Sequence, residues 1–291
     1  MNRPMKKIRV YSDMHLDHYE ARDVMWYPPK MPDDAETTLI LAGDLWIGTH
    51  FIMHAEDSWI SNVAQHFKRV LIVLGNHDYW PTEKYLSIVK GGQKCNNMLA
   101  DLGIMNVKVL DCDVVIDEDV LFVGCTLWTD MNKFDPLTMY NMPGYMRYDG
   151  KIAFDTGLKS LDLKTNSYSQ MGWSRFTSEK WVQTFMKHRD YLKIIIEQNK
   201  DKKIVVITHH LPMPGLSNPM FATNTAGNGY YHSDLSDLIL DNPHIKMWCY
   251  GHTHYQKETL VGETLLVNNC VGYKSQEFES QHFVKHKVFE I

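Results

Sequence analysis

The 291-residue sequence has no apolar run near the roughly 20 residues that a bilayer-spanning helix needs, so no membrane association is expected. Cysteine is sparse. Cys95, Cys112, Cys125, Cys249 and Cys270 are odd in number and widely spaced, and they make neither a Cys-x-x-Cys metal motif nor a disulfide framework. A reducing, cytoplasmic setting is therefore expected. Positive charge is not in excess either. The net charge of −5 disfavours nonspecific binding to duplex nucleic acid, which would need a local basic patch. The basic segment Met1–Lys7 leads straight into a strand-like run, without the apolar stretch of a signal peptide. No repeat, low-complexity tract or linker divides the chain, so one domain over 1–291 is expected; nothing marks an oligomeric state.

Histidine is abundant, with 15 copies, several at the ends of apolar runs. Those runs are rich in β-branched residues and read as buried strands: Ile8–Tyr11, Thr38–Ala42, Val70–Leu74, Val120–Gly124, Ile204–Thr208 and Ile245–Tyr250. Helical spacing predicts helices over Glu56–Phe67 and Ser178–Gln198. Pro81 could begin a short helix, and Ser233 could cap another through Leu240. Gly262-Glu263 between Glu258–Val261 and Thr264–Asn268 suits a type II′ hairpin. Strands alternating with helices predict an α/β sandwich of mixed sheets.

Five strands end in polar residues. They run into Asp13-Met14-His15, Gly43-Asp44, Gly75-Asn76-His77-Asp78, His209-His210 and Gly251-His252-Thr253-His254. Taken singly, most of these are ordinary turns. Together, at the carboxyl ends of strands where α/β sheets bind ligands, they should converge. Imidazole, carboxylate and amide donors without thiolate suit divalent Mn, Fe, Zn, Co or Ni. Seven donors are too many for one tetrahedral ion, and two ions about 4 Å apart sharing a carboxylate would account for them.

At these residues the sequence resembles the calcineurin-like metallophosphoesterase superfamily, motif for motif and in the same order. The resemblance implies a four-layer αββα sandwich, the metallo-dependent phosphatase fold. It implies one metal on Asp13, His15 and His254, a second on Asn76, His209 and His252, and Asp44 bridging them; manganese is the expected ion. His210, beside His209, is its competitor. His77 is the implied catalytic group, touching substrate and not metal, with Asp78 orienting it. The implied reaction is in-line attack on phosphorus by a hydroxide bridging the ions, with His77 assisting the leaving group or the phosphate oxygens.

Departures narrow the branch. Gly43-Asp44-Leu45-Trp46-Ile47-Gly48 and the Asp at 78 differ from the phosphoprotein phosphatases, and His77 stands where lipid A pathway pyrophosphatases carry Arg. The expected substrate is a small phosphodiester or phosphomonoester such as a nucleotide, ahead of nucleic acid and of a non-catalytic scaffold. Val271 stands where small bacterial and phage relatives often have Arg. The irregular, aromatic-rich stretch Leu127–Arg175 reads as a cap, or as a lid packing its own small core, and Leu211–His232 as a second specificity loop. Within them, aromatic rings could stack on a base, and Arg147, Lys151 or Arg175 could meet phosphates. His50, His54 and His232 read as loop histidines, and Tyr79-Trp80 as a wall of the site or plain packing.

Overall fold

The computed structural model describes residues 5–20, 25–48, 50–52, 58–81, 87–155, 160–162, 167–169, 173–273 and 283–291. His54 and the short helix expected after Pro81 lie outside the described residues, as do the side chains of Tyr168 and Trp173. The strands in chain order are β1 (Lys7–Tyr11), β2 (Thr38–Ala42), β3 (Arg69–Val73), β4 (Val107–Val109), β5 (Asp113–Asp117) and β6 (Val120–Cys125). Short strands β7 (Ala153–Asp155), β8 (Ser160–Asp162), β9 (Ser167–Ser169) and β10 (Trp173–Arg175) follow. The last are β11 (Lys203–Thr208), β12 (Ile245–Cys249), β13 (Lys257–Val261), β14 (Thr264–Asn268) and β15 (Phe289–Glu290).

Two mixed sheets form the centre. One has the order β15-β1-β2-β3-β4, parallel except at β15; the other runs β13-β14-β12-β11-β6-β5, antiparallel only at its two edges. Parallel strands need both faces covered, and the alternation of side chains shows how this is done. Ile8, Val10, Ile40, Leu71 and Val73 from the first sheet join Phe122, Val205, Ile207, Met247 and Val267 from the second in one buried cluster between the sheets. The intervening residues, among them Leu39, Leu41, Ile72, Val123, Val206 and Trp248, belong to a second cluster. That cluster includes the apolar faces of the helices Trp59–Ala64 and Ser178–Gln198, so helices cover the outer faces and the architecture is the expected four-layer sandwich.

The long helix buries Trp181, Phe185, His188, Leu192 and Ile196 along one stripe at helical spacing. The β13–β14 hairpin pairs Val261 with Thr264, and Gly262 takes φ 57° as a II′ turn requires. Ser233 does not cap the following helix. That helix spans Ser236–Leu240 with no side-chain cap, and Ser233 Oγ instead accepts from Asp130 N at 2.8 Å. Among the described residues, no helix is long and apolar enough to cross a membrane.

Candidate metal centre

The polar strand ends lie along one edge of the two sheets, and the backbone there is unusual. Asp13, His15, Asp44, His252 and His254 all have positive φ, between 43° and 71°. Each such residue costs about 1–3 kcal/mol and persists only where its surroundings fix it. The fixing contacts are visible. Asp13 N donates to Gly43 O (2.9 Å) and His15 N to Asp44 O (3.1 Å), stitching the β1 loop to the β2 loop. His252 N donates to Asp13 Oδ1 (2.9 Å), tying the second sheet to the first. Asp78 accepts from the N–H groups of Asp44, Leu45, Trp46 and Gly75 at 2.7–3.1 Å, clamping the β2 loop to the β3 loop.

The side chains converge in two groups. In the first, His15 Nε2 faces His254 Nε2 at 3.0 Å, and His254 Nε2 lies 3.4 Å from Asp13 Oδ1. In the second, His209 Nε2 lies 3.3 Å from Asp44 Oδ2 and 3.1 Å from Asn76 Oδ1, with His252 alongside. Asp44 belongs to that group and also to one with His15 and His77, so its carboxylate stands between the two.

The donor set fits divalent ions. Two basic imidazole nitrogens face each other at 3.0 Å, while His15 Nδ1 and His252 Nε2 are buried without a hydrogen-bond partner. Buried polar atoms are rarely left so. His209 Nδ1 donates to Ala42 O at 2.8 Å, which leaves its Nε2 lone pair aimed at Asp44 and Asn76. Burial, then His77 and His254, hold the His15 pKa well below its ordinary value; burial, then His210 and His209, do the same to His252. Burial also disfavours charge on His209, yet the Asp44 carboxylate pushes it up to about 9. Burial alone would raise Asp44, but His209 and His77 hold it well below the carboxylate range.

The adjacent histidines separate cleanly. His209 Nε2 faces Asp44 and Asn76, whereas His210 Nδ1 points to Thr126 O (3.2 Å); the His210 ring packs on Trp128 and, at 4.3 Å, on His252, with its buried Nε2 unpartnered. His77 lies outside the Asp13–His15–His254 and Asp44–His209–His252 groups but within 4.8 Å of His15 and Asp44 donors, its Nε2 3.9 Å from Asp44 Oδ2 and its ring stacked on Trp80 at 3.5 Å. Burial pulls its pKa down to about 4. Asp78 was expected to orient His77; its carboxylate is instead taken by the four backbone N–H groups, because the chain turns into a 3₁₀ helix at His77. Burial and Asp44 push the Asp78 pKa up to about 8, and the Gly75 and Trp46 N–H groups oppose the rise.

A cleft of about 530 Å³ opens onto Asp44, Asn76, His77, His252 and His254. One wall is Tyr145–Asp149 from the aromatic stretch; the other includes Ser217, Phe221, Asn228 and Tyr231 from the loop after β11. Hydrogen bonds join the two walls: Asn132 Nδ2 to Thr225 O (2.9 Å), Thr129 Oγ1 to Gly229 O (2.7 Å) and Tyr230 OH to Thr138 O (2.6 Å). Arg147 lines the cleft, Lys151 sits over the Tyr148 ring, and Arg175 is in β10. Trp128 is fully buried and is core, while Tyr79 packs behind the site. His50 stacks on Trp46, and His232 is half-buried at a bridge to Leu211.

Sequence reasoning missed three neighbours. Tyr273 stacks on His15 at 4.2 Å, near the buried Val271; a sixth strand end, after β14, was the signal for it. Tyr231 packs on His252 at 4.5 Å. Buried Asp149 accepts from Trp80 Nε1 (3.1 Å) and pairs with the Asn76 side chain; burial pushes its pKa up to about 7. It comes from an irregular segment without spacing, and no sequence signal pointed to it.

A family model described as calcineurin-like phosphoesterase matches residues 6–256. The uncharacterized protein L509 of Acanthamoeba polyphaga mimivirus is 25% identical over 289 residues, covering 94% of this chain and 93% of that protein. The crystal structure of phosphopantetheinyl hydrolase (PptH) from Mycobacterium tuberculosis matches with a TM-score of 0.64 at 15% identity, over 99% of this chain and 96% of that one.

Proposed function

The chain belongs to the calcineurin-like phosphoesterase family, and from that premise we propose that it hydrolyses phosphoester bonds in small phosphorylated molecules with the help of two divalent ions. The observation that carries this reading is the shared position of Asp44, a member of two separate donor groups that otherwise draw on different residues. Asp13, His15 and His254 would hold one ion, Asn76, His209 and His252 the other, and Asp44 both. Manganese is the first choice, with iron, zinc, nickel or cobalt as alternatives for this nitrogen and oxygen set. When bound, such ions lower the pKa of a nucleophilic water and screen charge on the phosphoryl oxygens.

The chain's own residues do the rest. His77, held against Trp80, donates to a phosphate oxygen or to the leaving group. Asp149 fixes the amide of Asn76 so that its oxygen, not its nitrogen, faces His209. Asp78 holds the Asp44 loop and takes no part in proton transfer. The walled cleft suits a small substrate, with Arg147 and Tyr148 as the specificity contacts and the 127–175 stretch as the cap that supplies them.

The test is a panel of substrates with the Mn²⁺-loaded protein: an aryl phosphate, a bis-aryl phosphate, 2′,3′- and 3′,5′-cyclic nucleotides, a phosphopantetheinyl ester and single-stranded nucleic acid. The phosphopantetheinyl ester is included because the M. tuberculosis protein of similar fold is named for it. Turnover of small esters that is lost in Asp44→Asn is expected. Cleavage confined to nucleic acid would overturn the small-substrate reading, and no cleavage at all would overturn the enzyme.

A further inference from the structure

A second cluster of reactive groups lies outside the metal centre. Asp111 and Cys112 follow β4, Cys125 ends β6, and His188 comes from the buried face of the helix Ser178–Gln198. Donor atoms of Asp111, Cys112 and His188 all lie within 4.8 Å of one another. Cys112 takes a left-handed backbone (φ 54°) and its N–H donates to Gly124 O at 3.0 Å. The β5–β6 ladder ends at the Asp113–Gly124 pair, which Cys112 and Cys125 adjoin in sequence, and the two thiols are hydrogen-bond partners. Of the five cysteines, Cys112 alone is not fully buried.

The tautomer of His188 decides what this cluster can do. Leu127 N–H donates to His188 Nδ1 at 3.2 Å. A backbone N–H can only donate, so Nδ1 is the acceptor and Nε2 carries the ring proton. That protonated Nε2 points at Cys112 and lies 3.9 Å from Asp111 Oδ1. A metal ligand at Nε2 needs a lone pair there, which this tautomer lacks. A Cys-His-Asp relay needs Nδ1–H on the carboxylate, and here Nδ1 is occupied while Asp111 Oδ2 accepts from Gly92 N at 3.2 Å. What remains is a fixed N–H donor to sulfur, which favours the thiolate of Cys112. The Cys125 S–H is the largest influence in the same direction, burial opposes it, and the nearby Lys187 adds to the lowering.

We propose that Cys112 is a peroxide-sensitive thiolate with Cys125 as its resolving thiol, the pair closing to a disulfide on oxidation. The Cys112 sulfur attacks one oxygen of hydrogen peroxide, the O–O bond breaks, and with one solvent proton the products are a sulfenic acid and water. The Cys125 sulfur then displaces the sulfenic oxygen, which leaves as a second water carrying the Cys125 proton. The dithiol loses two electrons and the peroxide gains them. Cys125 precedes Thr126, whose carbonyl accepts from the N–H groups of His209 and His210, so the bond would form one residue from the strand that delivers His209.

The experiment is peroxide treatment of the full chain followed by peptide mapping. A Cys112–Cys125 disulfide is expected. Cys125→Ser should stop at a Cys112 sulfenic acid captured by dimedone, and Cys112→Ser should give neither product. His188→Gln should slow Cys112 oxidation several-fold while leaving Cys95, Cys249 and Cys270 unchanged. Oxidation of Cys112 no faster than of those three buried thiols would overturn the proposal, and mapping of the unmutated chain alone can show it. So would tight uptake of one Zn²⁺ at this cluster, abolished by Cys112→Ser, because a ligating His188 could not be the N–H donor.

Discussion

His77 is held by contacts that do not depend on its imidazole. Its backbone N–H donates to Asp44 Oδ1 at 2.9 Å, and its carbonyl accepts from Trp80 N at 3.0 Å. Truncating the ring should therefore leave the loop in place. His77→Ala is expected to lower kcat by roughly 10²–10⁴, the usual value of a positioned acid or base, with the metal content unchanged by elemental analysis. Loss of an ion in that variant would make His77 a ligand instead. Gly75 is a sharper case. A Cβ there would lie 2.1 Å from Asp44 Oδ1, which His77 N–H holds, and 2.4 Å from Asp44 N, which Asp78 holds. Gly75→Ala should accordingly displace the Asp44 carboxylate, read as a fall in bound metal and in activity together. These residues were legible because glycine and a polar side chain directly after a β-branched run mark a strand end. Asp149 and Tyr231 were not, since each reaches the site from a segment whose course depends on tertiary hydrogen bonds and not on local spacing.

The helix Ser178–Gln198 was readable to its ends, because 21 residues give its apolar stripe many turns to repeat. Shorter elements gave less repetition: β4 has three residues, β5 leaves Ile116 exposed, and the 11-residue helix Gly91–Asp101 opens on two glycines that disfavour helix. The long helix also anchors the cleft. Trp181 is fully buried, packs edge-on against Trp128 at 4.6 Å, and donates Nε1–H to Thr129 Oγ1 at 3.0 Å; Thr129 in turn holds Gly229 of the opposite wall. Trp181→Ala should cost about 3–5 kcal/mol in urea unfolding, the range for deleting a large buried aromatic. Trp181→Phe keeps most of the apolar contact and loses the hydrogen bond, so about 1–3 kcal/mol is expected, the cost of leaving Thr129 Oγ1 without its donor. Equal losses in the two variants would remove the Thr129 bond from the account.

At the scale of the molecule, the candidate metal centre is a seam. The first sheet supplies Asp13, His15, Asp44 and Asn76, and the second supplies His209, His252 and His254. Ions held there would cross-link the sheets at one edge, while the apolar cluster between them packs the rest. Removing divalent ions should therefore leave the sandwich folded but less stable. A ligand that binds only the folded state adds about 2.7 kcal/mol at a hundredfold excess over its Kd. For a large domain each kcal/mol moves Tm by about 2–4 °C, so chelation should lower Tm by several degrees. Far-UV circular dichroism should keep its sandwich signature, and Mn²⁺ should restore the original midpoint. The same titration on Asp44→Asn should show a much smaller recovery, since that variant has lost the carboxylate common to two donor groups. Full recovery there would mean that the stabilising ion does not depend on Asp44.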